Sequence, residues 1–215
     1  MNVNPKNWEN YANFPGSACS FEVYKLVNEL CTNHRASISR KLVMDACNES
    51  PLRGLLLAFI WGYPKGRFPG GKSFLPLFDR AIKIVEVLRF LKANPGLPTV
   101  EIAEMFKELK GLGPSTYTKI LYFFGIRARE GKCLIYDQMV MRSIAESSEP
   151  MWSNLRETIG PFRLPAGKFK LFSRAVQEKT YGNYISIAHQ IANGKKTADA
   201  VEFDLFLNAP RGVRS

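Results

Sequence analysis

Long apolar runs are missing from this chain. No stretch approaches the eighteen or so uninterrupted apolar residues that a membrane span needs. Cysteine is scarce, and residues 19, 31, 47 and 133 show neither Cys-x-x-Cys spacing nor a compact cluster with histidine. That argues against a disulfide framework and for reduced, mostly buried thiols. His34 and His189 stand alone, with no carboxylate or cysteine at ligand spacing, so a metal site is not expected. No period-2 strand pattern, internal repeat or low-complexity tract appears, and the expected fold class is all-α. The opening Met-Asn-Val-Asn-Pro-Lys-Asn-Trp lacks the basic-then-apolar layout of a signal peptide, which points to an intracellular protein.

Negative charge is the other shortage. Against 30 Lys and Arg there are 19 Asp and Glu, a net +11. Such an excess favours a polyanionic partner, nucleic acid ahead of a membrane surface, with solubility alone as the plain alternative. At 215 residues the chain can bury a substantial core as one large or two small domains.

What is present is helical periodicity. Residues 1–20, rich in Asn, Pro, Gly and aromatics, are expected to wrap the surface. The spacing predicts a helix capped by Ser20 and running to Cys31. A second covers about 36–47 through Ile38, Leu42, Val43 and Ala46, and a buried one covers Leu52–Trp61. Residues 62–72 hold four glycines, two prolines, the cations Lys65, Arg67 and Lys72, and the rings of Tyr63 and Phe68. They form either a plain surface connection or a basic loop on a DNA backbone, with a ring free to stack on or wedge between bases. Leu75–Leu91 is expected as one amphipathic helix with Phe78, Ala81, Ile82, Ile84, Val85 and Leu88 inside, and Thr99 is expected to cap the helix Val100–Leu109. Arg127–Lys132 reads as a charged loop. The helix after Asp137 places Val140, Met141, Ile144 and Ala145 on one face, and further helices are expected over Met151–Ile159, Pro165–Lys179 and Tyr184–Ala192.

The most informative stretch is Leu109–Leu121, Leu-Lys-Gly-Leu-Gly-Pro-Ser-Thr-Tyr-Thr-Lys-Ile-Leu. Gly111 and Gly113 allow a tight turn whose bare amides a ligand can approach, and Pro114 opens a helix whose first-turn amides suit an anion. Downstream, Leu134-Ile135-Tyr136 ends in Asp137 at the start of a helical pattern. The pattern apolar-x-Gly-apolar-Gly-x-x-Thr, followed by an apolar-apolar-x-Asp segment, resembles the helix-hairpin-helix DNA glycosylase superfamily, with the 8-oxoguanine glycosylase branch nearest. The resemblance is specific over about 109–145 and suggestive at 195–206, where Lys196–Phe206 resembles the last short helix of the superfamily.

The resemblance implies two helical lobes, 1–60 with 150–215 and 61–149, flanking a cleft with the hairpin and the aspartate at its mouth. It implies a monomer acting on duplex DNA that carries a modified base, 8-oxoguanine first, in the nucleoid-associated cytoplasm of a bacterium or otherwise in a nucleus. Lys110, Gly111, Gly113, Ser115 and Thr116 would hold consecutive phosphates without reading sequence, joined by Lys65, Arg67 and Lys72 and by the 127–132 loop. The carbonyls of Lys107, Leu109 and Leu112 would hold a monovalent cation. With no cysteine after 133, the iron–sulfur cluster of some members is excluded.

Asp137 is an ordinary N-cap and, under the resemblance, also the catalytic carboxylate that stabilises positive charge at C1′. Bifunctional members carry a nucleophilic lysine two residues after the second hairpin glycine, where this chain has Ser115. Lys119 lies one turn on, on the same helical face. Two readings stay open: Lys119 attacks C1′ with its pKa lowered by burial, or Lys119 is a phosphate contact or solvated residue and Asp137 activates water. Either needs the base out of the stack, with Tyr63, Phe68, Tyr117 and Tyr122 as candidate wedges or stacking partners. Outside this class stand a helix-turn-helix regulator using 99–121, a structure-specific hairpin binder without activity, and an abasic-site lyase that releases no base.

Overall fold

A computed structural model describes residues 2–12, 20–32, 36–68, 73–109, 111–161, 163, 170–193 and 196–210, and the fold is that of these residues. Caps and prolines set where several helices begin. α1 (Glu9–Ala12) and α2 (Ser20–Thr32) come first, with Ser20 inside α2 and the residues before it outside the described set. Ser39 Oγ accepts the Leu42 N–H at 3.1 Å and opens α3 (Arg40–Glu49). Pro51 and Pro76 sit in the first turns of α4 (Pro51–Gly62) and α5 (Leu75–Phe78), where a missing N–H costs nothing. Then follow α6 (Ala81–Ala93), α7 (Thr99–Lys107), α8 (Pro114–Phe123), α9 (Gln138–Glu146), α10 (Ser153–Ile159), α11 (Arg174–Ala192) and α12 (Ala198–Leu207).

The all-α class holds, with two short antiparallel pairs added: β1 (Asn2–Val3) with β2 (Ala36–Ser37), and β3 (Arg127–Ala128) with β4 (Gly131–Lys132). Two-residue strands are too short to show a period. β2 also explains why the helix expected over 36–47 starts only at Arg40, although Ile38 is buried as expected.

Tertiary contacts overturn other local expectations. The helix expected over Leu75–Leu91 breaks at Asp79–Arg80 into α5 and α6, and Ile82 faces outward, half exposed. Thr99 is the first residue of α7, not its cap. Its N–H donates to both carboxylate oxygens of Glu130, at 3.3 and 3.2 Å, and its hydroxyl donates to Oε1 at 3.1 Å, so a carboxylate from the β3–β4 turn serves the helix end. The helices expected over Pro165–Lys179 and Tyr184–Ala192 are one helix from Arg174 that runs straight through Gly182; residues 164–169 lie outside the described set. A Cβ at 182 would stand 2.7 Å from Thr99 Oγ1, so this glycine serves a close approach of α11 to α7.

The core centres on α4, buried along Gly54–Trp61. Trp8 and Tyr11, expected at the surface, are buried with Phe59, Phe74 and Phe78 in a cluster of tilted and edge-on rings. α4 packs on α8, and α11 lies along α7, α8 and α12, which brings the chain around Lys119 and Asp137 into the interior.

Candidate active site

Between β4 and α9 the chain runs through the core, with Cys133, Leu134, Ile135 and Tyr136 all buried. Buried backbone needs hydrogen-bond partners, and here side chains supply them. The hydroxyls of Tyr181 and Tyr184 donate to the carbonyls of Leu134 (3.0 Å) and Ile135 (3.2 Å). Tyr136 N–H donates to Thr118 Oγ1 at 3.2 Å, and that hydroxyl donates to the Pro114 carbonyl at 2.8 Å. The Tyr136 hydroxyl meets Thr180 Oγ1 at 2.9 Å. α8 and α11 thus hold the segment from both sides and fix where Asp137 emerges.

Asp137 caps α9. Its Oδ1 accepts the N–H groups of Met139 (2.9 Å) and Val140 (3.2 Å), while Oδ2 accepts Lys119 Nζ at 2.8 Å. Lys119 Nζ also donates to the Ser115 carbonyl at 2.9 Å and lies 5.8 Å from the centre of the Tyr63 ring. The lysine is only 7% exposed. It is therefore not a solvated helix residue. Burial works to lower its pKa, but the Asp137 carboxylate and its hydrogen bond outweigh burial and hold the ammonium above the usual lysine range, opposite to the lowering expected. Burial likewise works to raise Asp137, and the Lys119 ammonium with the two amides holds it below the usual carboxylate range. The resting dyad is an ion pair.

The turn before α8 divides its glycines between two tasks. Gly111 has φ +98°, which only glycine adopts freely, and a Cβ there would also press on Leu77 Cδ2 at 3.2 Å. Gly113 is extended, and a Cβ built on it meets nothing within 4 Å. Neither its conformation nor internal packing calls for glycine. No side chain caps α8 at Gly113.

Among the expected phosphate contacts, Lys110 and Lys72 lie outside the described residues. The Thr116 hydroxyl turns inward to Tyr63 Oη at 2.6 Å and is buried, so it faces no ligand; Ser115 Oγ, partly exposed, lies 3.5 Å from Gln177 Oε1. Lys65 and Arg67 are exposed and line, with Asn7, Gly62, Tyr63 and Phe68, a cavity of about 620 Å³. Gly62 places it beside the dyad, since a Cβ there would stand 3.1 Å from Lys119 Cδ. Phe68 stacks on Phe74 at 4.0 Å and meets Tyr63 edge-on at 4.9 Å. Tyr117 and Tyr122, expected as candidate stacking partners, are buried: Tyr117 against Phe106, and Tyr122 with Arg40 and Lys132 near its ring.

The 127–132 segment is a β-hairpin whose charges are largely spent at home. Glu130 serves α7, Lys132 pairs with Asp199 at 2.8 Å, and Arg127 and Arg129 remain exposed. Sequence reasoning missed Arg40 and Glu202, a buried bidentate pair at 2.6 and 3.1 Å across 162 positions. It also missed the tyrosines of α11, whose spacing of three and position on the buried face of a helix were the available signs. Among the described residues, no group of three or more His, Cys, Asp or Glu side chains could hold a metal ion, and no helix is long and apolar enough to cross a membrane.

A family model described as "Putative 8-oxoguanine DNA glycosylase OGG-like protein" matches residues 1–206. No curated protein and no solved structure matches the chain.

Proposed function

From its membership of the 8-oxoguanine DNA glycosylase OGG-like family, to which this chain belongs, we propose that the protein removes 8-oxoguanine from duplex DNA, with Lys119 as the nucleophile and Asp137 as its partner. The observation that carries this reading is the buried dyad. An amine and a carboxylate meet at 2.8 Å one turn into a helix whose open start follows a glycine turn, beside a cavity with exposed cations.

The resting ammonium is no nucleophile, but Asp137 Oδ2 is positioned to take its proton. In a dry cleft the neutral amine and carboxylic acid replace the ion pair without leaving a lone charge behind. Nζ then bonds to C1′ as the C1′–N9 bond breaks, and the departing base takes the bonding electrons and the proton from Asp137. The restored carboxylate stabilises the cationic sugar. The C1′–O4′ bond then opens with its electrons on O4′, which takes the proton that Nζ gives up through Asp137, and a protonated Schiff base is left on Nζ. The Asp137 carboxylate next takes a C2′ proton, the C–H pair forms a C2′–C3′ double bond, and the 3′-phosphate leaves with the C3′–O electrons, which nicks the strand. The base must leave the stack first, and the cavity at 62–68 is the space beside the dyad that receives it.

The open side of Gly113 and the uncapped start of α8 suit a phosphate approaching the bare amides, with Ser115, Lys65 and Arg67 alongside. Lys107, Leu109 and Leu112 carbonyls would hold a monovalent cation, Leu109 using the lone pair that Leu112 N–H leaves free. Neutralising about five phosphates gives a slope of log affinity against log salt of roughly −4 to −5. The test is a duplex with one 8-oxoguanine under single-turnover conditions. Strand breaks without alkali support the bifunctional reading, breaks only after hot alkali replace it with water attack guided by Asp137, and binding without base release leaves a DNA-binding protein only.

A further inference from the structure

Arg40 of α3 and Glu202 of α12 form a second buried ion pair, which the dyad chemistry does not use. Both carboxylate oxygens of Glu202 accept from the guanidinium, at 2.6 and 3.1 Å, and the Glu202 side chain is fully buried. The guanidinium carbon lies 5.5, 5.2 and 5.5 Å from the rings of Trp61, Tyr122 and Phe203, and Nη1 donates to Tyr122 Oη at 3.3 Å. Tyr122 follows Lys119 by one turn of α8, and Trp61 precedes Gly62, against which the Lys119 stem packs. The cage therefore touches the helix that carries the lysine, α8, and the helix whose end the lysine stem packs against, α4.

Burying two charges is a weak device for stability, since apolar side chains of the same shape serve as well or better. Placing a full negative charge near a functional ammonium has a consequence that apolar side chains cannot supply. Glu202 interacts electrostatically with both Lys119 and Asp137.

We propose that Glu202, neutralised to a set degree by Arg40, is a positioning residue that sets the field at Lys119 and so the ease with which the dyad exchanges its proton. The inference rests on the catalytic reading of Lys119 for its meaning, but not for its test. Lys119 contacts Asp137 at the start of α9 and lies over Tyr63 at the end of α4, and it feels the charge of Glu202 on α12. Asp137 also feels Arg142, and Tyr184 of α11 feels Asp137, Glu202 and Arg40. Among these, the Arg40–Glu202 pair can be altered without touching a group in contact with Nζ.

The experiment follows the Lys119 Cε resonance by NMR against pH in the parent protein, in Glu202→Gln and in Arg40→Met, and the borohydride-trapping rate on an abasic duplex over the same range. Removing the negative charge moves the Lys119 midpoint to lower pH by about half a unit or more and raises trapping below the midpoint about threefold. Removing the guanidinium moves it the other way. A purely structural pair lowers the melting temperature of both variants and leaves one common midpoint, which overturns the inference. Should one variant fail to fold, the sign of the shift in the other decides. Absence of trapping in the parent at every pH overturns the catalytic reading instead, and the NMR midpoints still settle the field.

Discussion

Lys119 meets Asp137 and Lys132 meets Asp199 at the same 2.8 Å, yet the two pairs are built for different work. In the first the side chains are 9% and 14% exposed, the carboxylate also caps a helix, and the ammonium also holds a carbonyl. In the second, both side chains are about a third exposed, and the pair ties β4 to the start of α12. A short Lys–Asp contact therefore says little by itself. Burial and the additional partners of each group decide whether the pair is a reactive centre or a surface tie.

The comparison breaks most visibly at the lysines. Lys119→Ala lowers base release by about a thousandfold or more, whereas Lys132→Ala leaves it within about twofold, both read in single-turnover excision. At the carboxylates the contrast is somewhat smaller. Asp137→Asn lowers excision by roughly a hundredfold to a thousandfold while duplex affinity, measured by fluorescence anisotropy, stays within a few fold; Asp199→Asn changes neither.

Acid stability sharpens the same contrast. Both carboxylates are held below their ordinary range in the fold, so each stabilises above the unfolded carboxylate pKa of about 4 and loses that contribution as pH falls through its lower folded value. Below neutrality, melting temperatures of Asp137→Asn change less with pH than those of the parent, and Asp199→Asn lies between. The smallest effect concerns the exposed tie. Removing Lys132 costs about 1 kcal/mol or less in chemical denaturation, and added salt reduces even that.

Legibility followed the range of the forces involved. The starts of α4 and α8 depend on prolines inside the element, and the Asp137 cap depends on amides two and three residues away, so each is readable locally. The common face of Ser115 and Lys119 follows from four-residue spacing. The gap left between Lys179 and Tyr184 is helix instead, and Gly182 within it is a contact point, because what it accommodates is Thr99 on another helix. The 127–132 loop reads as a source of phosphate contacts, but its Lys132 is spent on Asp199, 67 positions away, and its Glu130 serves α7 across 31 positions. The lowered lysine pKa expected from burial is reversed by a carboxylate that no local pattern places at Nζ.

The most direct measurement is peptide mapping of the adduct that borohydride fixes between this protein and a duplex carrying 8-oxoguanine. The account predicts one modified residue, Lys119, with no adduct in Lys119→Ala. An adduct at another amine, or strand cleavage that persists in Lys119→Ala, would contradict it.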